Sequence, residues 1–190
     1  APESKADLAF TMHMLSWLSA KGTAAIVEFP GVLYRGGAEG KIRKYLIDNN
    51  FVDTVIQLPS DLFFGTSIAT CILVLKKNKT DNSILFVDAS EEFVRNTNKN
   101  KLSDANIENI LSLLKNRVDV ENKAIVVPNE EIAENDYNIS VNSYLKVATD
   151  EVEIDIVELN KNIQEIVAKQ SQVRKELDSI IQELESDYHE

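Results

Sequence analysis

One cysteine, two histidines, four prolines and six glycines in 190 residues exclude several architectures at once. Cys71 has no partner for an internal disulfide, so a disulfide-stapled secreted fold is ruled out and a cytoplasmic setting is expected. His13 and His189 lie far apart and, with the lone cysteine, give no metal-ligand spacing. No run approaches the about 18 to 20 apolar residues of a membrane helix, and the opening APESKADLAF lacks the basic-then-apolar order of a secretory signal. Glycine-rich phosphate loops are missing too: GGAEG at 36–40 matches neither G-x-G-x-x-G nor the P-loop. Without G-x-S-x-G or a nucleophile paired with histidine, a small hydrolase has no support. Basic residues are outnumbered, 20 against 31 acidic, and the formal charge of -11 argues against nonspecific nucleic-acid binding by the chain alone.

What is present is a chain 44% hydrophobic, enough for one substantial core with an appendage. The acidity sits in the tail: 12 acidic and 4 basic residues follow Thr149, against 19 and 16 before it. Glycine, proline and aromatics nearly vanish after Tyr144, which places a domain boundary near residue 148, between a body (1–148) and a helical tail (149–190). In that tail Ile156, Leu159, Ile163, Ile166, Gln170, Val173, Leu177, Ile180 and Leu184 alternate spacings of 3 and 4, the heptad rule of a coiled coil. The seam has nothing in its own sequence to cover it, so a partner helix is expected. Gln170 is its one polar member, suited to fixing register or simply facing water.

The body reads as helices and strands in alternation. Ser4 is expected to cap a helix through Phe10, Met14, Trp17 and Leu18 that stops at Lys21-Gly22. TAAIVEF (23–29) is a strand ended by Pro30, AEGKIRKYLIDNN (38–50) a helix, and FVDTVIQL (51–58), TCILVLK (70–76) and SILFVD (83–88) are strands. A helix over 103–117 and a strand over 124–127 precede an irregular stretch through Tyr144. This order predicts an α/β fold with parallel strands followed by hairpin-connected strands as an antiparallel edge. With few crossovers to cover both faces, the sheet is expected to be the remainder of a larger one.

Four segments carry a family likeness: GVLYRGGAEGKIRKYL (31–46), IQLPSDLFFGTSIATCILVLKKN (56–78), ILFVDAS (84–90) and NDYNISVNSYL (135–145). Together they resemble the modification subunit of type I restriction-modification systems, an adenine-N6 DNA methyltransferase. The resemblance implies the C-terminal part of a Rossmann-like methyltransferase sheet followed by a long coiled-coil helix. It implies S-adenosylmethionine as methyl donor of the parent enzyme. The partners implied are a specificity subunit docked through the tail helix, a second modification subunit, a restriction subunit, and DNA. The family's donor loop and its Asn-Pro-Pro-Phe/Tyr motif belong upstream of Ala1, and no Asn-Pro-Pro occurs in the chain. The 190 residues alone are therefore expected neither to hold the donor tightly nor to transfer a methyl group. A competing reading is a complete, non-enzymatic α/β module with an oligomerising coiled coil.

The likeness extends to individual residues. In such enzymes the loop between the last two core strands carries an aromatic that stacks on the flipped base, and Phe63 occupies that position, with Phe64 the alternate; the competing reading is that both anchor the loop in the core. Arg35, Lys41, Arg43 and Lys44 flank Gly36-Gly37, and Lys76, Lys77 and Lys79 follow the third strand. Of these, Arg35 and Arg43 are the expected DNA-backbone contacts, against the alternative of plain solvated loops. Cys71 reads as a small core residue, His13 as structural, and Asp88 as a turn residue.

Overall fold

The computed structural model describes residues 5–145 and 156–187. The chain divides into two compact units, Ala1–Val147 and Ala148–Glu190. The expected cap, Ser4, and the expected boundary at residue 148 fall outside the described residues.

In the first unit, helix α1 (Asp7–Trp17) buries Leu8, Thr11 and Leu15, one stripe at helical spacing, and leaves Phe10 and Trp17 on its outer side. It ends earlier than the Lys21-Gly22 stop, with Leu18 already extended. Strand β1 (Thr23–Glu28) leads into a 3-10 turn (Pro30–Leu33) and helix α2 (Gly37–Asp48), which opens on Gly37 at φ +67. Strands β2 (Val52–Gln57), β3 (Cys71–Lys76) and β4 (Ser83–Asp88) follow, then a small hairpin of β5 (Val94–Asn96) and β6 (Lys99–Lys101) that the sequence did not announce. Helix α3 (Asp104–Asn116) starts on a Ser103/Asn106 capping box. Strand β7 (Ala124–Pro128) and the short helix α4 (Asn129–Glu134) close the element order of the body.

The sheet order is β1-β3-β2-β4-β7. Only β2 and β4 run parallel; β1 with β3, β2 with β3, and β4 with β7 are antiparallel. This corrects the expected pattern in two respects. Strand β3 does not extend an edge but inserts between β1 and β2, and β3 with β4 is no hairpin, because β2 lies between them. The turn at 77–82 therefore carries the chain past a whole strand.

Period-two alternation sends side chains into two cores. Val55, Ile84 and Phe86 join Leu8, Leu15, Leu33, Leu46 and Ile47 under α1 and α2. Ile56, Leu85 and Val87 join Ile110 of α3 on the opposite face. The central strands are covered on both sides, so the body is a mixed α/β sandwich of three layers. Toward β1 the second cover thins: Val27 is exposed, Ile72 and Val74 are half-buried, and β1 has no strand on its outer edge among the described residues.

The second unit is one helix, α5 (Ile156–Asp187), 32 residues long and so about 48 Å at 1.5 Å per residue. Ile156, Leu159, Ile163, Ile166, Val173, Leu177 and Ile180 are all exposed along it. Leu184 lies within the helix, but its side chain is outside what the structure describes. No described helix is long and apolar enough to cross a membrane, and no described group of His, Cys, Asp and Glu is arranged to hold a metal.

Candidate functional site

The register brings the ends of four strands together. Glu28 of β1 and Gln57 of β2 both pair with Cys71 at the start of β3, and Gln57 also faces Asp88 at the end of β4. Ligands of open α/β sheets bind outside such strand ends, where chains leave the sheet in different directions.

The loop from β2 to β3, residues 58–70, stands at this end. Its base is closed by Leu58 N donating to Thr70 O at 2.9 Å, and its middle by Asp61 N donating to Ser67 O at 3.3 Å. Leu62 packs into the α3-side core, so one hydrophobic residue of the loop is anchored. The next two are not. Phe63 is 38% exposed and Phe64 101%, and Gly65 at φ +84 makes the turn directly after them. Neither ring belongs to the two cores of the body.

Phe63 and Phe64 line a cleft of about 370 Å³ with Val27, Glu28, Phe29, Thr66 and Thr70. Asp7 completes the lining, and two of the polar groups in its wall are buried. Glu28 is buried, accepts a 2.8 Å hydrogen bond from Thr11 Oγ1, and has its carboxyl pushed above the ordinary range by burial, partly offset by that bond. Thr70 Oγ1 is buried with no hydrogen-bond partner. Sequence reading passed over both; the one available signal was a charged residue, Glu28, ending the apolar run TAAIV just before Phe-Pro-Gly.

Arg43 is not a DNA contact. It is 2% exposed, its Nε donates to Tyr137 O at 2.9 Å, and its Nη1 donates to Val32 O at 3.0 Å and Arg35 O at 2.7 Å. It satisfies carbonyls that the 3-10 turn and the Gly36-Gly37 loop leave without helix or sheet partners. Arg35 remains accessible. Its guanidinium lies over Gly31, where an added Cβ would come within 2.3 Å of Cζ, and Nη1 stands 3.8 Å from Glu39 Oε1. The two expected residues are thus neighbours with different fates.

The lysines after β3 are used internally. Lys76 pairs with Asp53 at 3.1 Å, Lys77 Nζ donates to Leu18 O at 2.5 Å, and Lys79 Nζ donates to Val52 O and Ser83 O, both at 2.6 Å. Burial of Lys79 pushes its ammonium down to about 8. Cys71 is fully buried, and its thiol is pushed up to about 12, chiefly by burial, so it stays protonated and inert. His13 is exposed and lies against Trp17, ring centres 4.6 Å apart. Asp88 Oδ1 accepts from Ser90 N at 2.9 Å, closing the turn after β4.

Residues 1–153 match the N-6 DNA Methylase family. The chain is 50% identical over 189 residues to the type I restriction enzyme MpnII methylase subunit of Mycoplasma pneumoniae, covering 99% of this chain and 35% of that protein. It is 34% identical over 182 residues to the MjaVII methylase subunit of Methanocaldococcus jannaschii, covering 93% and 31%. Among solved structures, the type I restriction-modification methyltransferase subunit of Streptococcus thermophilus is 48% identical with a TM-score of 0.75, over 77% of this chain and 31% of that one. The chain spans about a third of the length of the curated relatives it matches. With a family match over most of its residues and half of its positions identical to a methylase subunit along nearly its whole length, the chain belongs to the N-6 DNA methylase family.

Proposed function

We propose that these residues form the C-terminal part of a type I modification subunit, contributing the sheet flank, the target-base stacking loop and a tail helix for assembly. The carrying observation is the pair of exposed phenylalanines at the strand-end cleft. Exposing two adjacent large aromatics on a short, internally closed loop costs apolar burial, and it makes physical sense where a planar, apolar surface is to be covered. A flipped base is such a surface. Chemistry on the exocyclic amine of adenine requires the base to leave the duplex, and stacking on an aromatic offsets part of the lost stacking inside it. Phe63 faces the cleft beside Glu28 and is the platform in this reading; Phe64 stands further out.

S-adenosylmethionine supplies the methyl group in the parent enzyme. The described residues do not fit it. Gly36-Gly37 follows a 3-10 turn rather than a strand, and the cleft, with the carboxyls of Asp7 and Glu28 in its wall, is lined by no glycine. The 190 residues by themselves are expected to give no methylation.

The exposed heptad seam of α5 supports docking to helices of a specificity subunit, within an assembly that also holds a second modification subunit, a restriction subunit and DNA. Arg35 is the remaining candidate for a phosphate contact. The test uses the full-length subunit assembled with its specificity subunit. Phe63→Ala is expected to lower methylation of cognate DNA about 5- to 150-fold, the equivalent of 1 to 3 kcal/mol of stacking, with fluorescence of 2-aminopurine at the target position reduced in parallel. Unchanged rate and fluorescence would reject Phe63 as the platform. Replacing Ile166 and Leu177 by Glu is expected to abolish co-elution with the specificity subunit; retained co-elution removes the seam from the interface.

A further inference from the structure

The aromatic loop is held from outside itself. Asn100 of β6, 7% exposed, donates its backbone N–H to Asp61 O at 3.0 Å and its Nδ2 to Ser60 O at 2.9 Å. Lys99 Nζ donates to Thr66 O at 2.8 Å. Ser60 and Asp61 precede Phe63 and Phe64, and Thr66 follows them, so the β5–β6 hairpin grips both arms of the loop. Asp61 sits at φ +54, a left-handed conformation that needs support in a residue with a side chain. Its carboxylate lies 3.6 Å from Arg95 Nη1 and 3.7 Å from Lys99 Nζ, which hold it there. Arg95 Nη1 in turn donates to Asn100 Oδ1 at 3.0 Å, bracing the gripping residue across the hairpin.

The hairpin is itself tied down at its root. Just before β5, Glu92 is buried and accepts from Lys123 Nζ at 2.8 Å and from Asn106 Nδ2 and Asn109 Nδ2 of α3, both at 3.1 Å. Hydrogen bonds thus tie Glu92 to α3, the chain runs from Glu92 directly into β5, and hydrogen bonds from the hairpin reach the loop that carries Phe63. A two-stranded hairpin this short has little stability of its own, so its order depends on these attachments. The loop's core contact through Leu62 fixes one point only. Without Asn100 and Lys99 the carbonyls of Ser60 and Thr66 turn to water, and the aromatic pair loses its fixed direction.

We infer that the β5–β6 hairpin is a positioning element for target-base stacking, acting on Phe63 through Asn100 and Lys99. This rests on the reading of Phe63 as the stacking platform. A preset ring direction lowers the entropy lost when the base is captured, so the effect belongs in the step after DNA binding.

The experiment is steady-state methylation by the full-length subunit assembled with its specificity subunit, with 2-aminopurine fluorescence read on the same DNA. Asn100→Ala and Lys99→Met are each expected to lower kcat about five- to tenfold, the scale of one lost hydrogen bond, while KM for DNA stays within about twofold. Lys99→Arg, which keeps a donor near Thr66 O, is expected to return kcat to within about twofold of the parent. The deciding variant is Phe63→Ala combined with Asn100→Ala. If Asn100 acts through the ring, the double variant is no slower than Phe63→Ala alone. Losses that multiply in the double variant, or single variants with the parent's kcat, overturn the inference while the stacking reading stands. Phe63→Ala with the parent's kcat and fluorescence sinks the stacking reading and the inference with it. Lys99 is half-exposed and outside both cores, so Lys99→Met keeps the test decisive if Asn100→Ala does not fold.

Discussion

At the two ends of the five-stranded sheet, similar stretches of loop treat their side chains in opposite ways. Where β3 ends and β2 begins, charges are drawn inward. Asp53 takes Lys76 on one oxygen and Arg117 on the other, at 3.1 and 3.3 Å, Arg117 reaches Asp81 at 3.4 Å, and Lys79 is given over to two carbonyls. At the other end, where β1, β2 and β4 finish, aromatic rings face outward, a carboxyl is buried with a raised pKa, and a hydroxyl has no partner. The first arrangement pairs these charges with one another and with backbone carbonyls. The second leaves apolar surface uncovered and polar capacity unused, which is the condition of a surface built to receive something.

Substitutions sharpen this contrast, and the largest effect is expected at Arg43. Arg43→Ala strands the buried carbonyl of Val32 and the part-buried carbonyls of Arg35 and Tyr137 and should cost about 2 to 4 kcal/mol in urea unfolding. A loss under about 1 kcal/mol means the side chain is free in solution after all. At the closed end, Asp53→Ala leaves Arg117 and Lys76 without their carboxylate, an expected loss of about 2 to 3 kcal/mol once their partial exposure is discounted. The midpoint of unfolding, at constant m, reads it.

The pH dependence is next. Hydrogen bonds from Lys123, Asn109 and Asn106 hold Glu92 down to about 2, below its ordinary 4.5, so its contribution is full above about pH 4.5 and lost as the pH falls toward 2. That contribution is roughly 2 kcal/mol with Lys123 partly exposed, and Glu92→Gln should flatten the acid limb of the stability curve by the same amount. An unchanged acid limb in the variant would place the titration elsewhere. The smallest effect is expected at the open end: Phe64→Ala should alter stability by less than about 0.5 kcal/mol, because a fully exposed ring holds nothing together. A loss of 2 kcal/mol there would make the aromatic loop structural and erase the difference between the ends.

Much of this was legible in the residues because it is local. The strands β2, β3 and β4, the helix α3, and the heptad spacing of α5 follow from periods of two, 3.6 and 3.5 that a chain displays before it folds. The segment carrying Phe63 was legible as well, since a strand, a proline and a glycine bracket it. The hairpin β5–β6 was not: VRNTNKNK has too few apolar residues to announce a strand, and it is ordered by Asp61, Ser60 and Thr66, some 30 to 40 residues away. The same distance problem hid Glu28, whose partner Thr11 sits 17 residues earlier on another element.

Arg35 and Arg43 make the division plain. Eight residues apart on either side of Gly36-Gly37, they look alike in sequence, and each is a reasonable phosphate contact. What separates them is the carbonyl of Tyr137, 94 residues further on, which reaches Arg43 because the segment after α4 returns to pack against α2. The sequence by itself determined the strands β1 to β4 and β7, the helices α2, α3 and α5, and which loop carries aromatics, because propensity, periodicity and turn chemistry act over a few neighbouring residues. Only the tertiary structure decided that β3 enters between β1 and β2, that Arg43 turns inward, and that a hairpin grips the aromatic loop. Those outcomes depend on pairing hydrogen-bond donors and acceptors far apart along the chain, and that pairing exists only once the chain has folded.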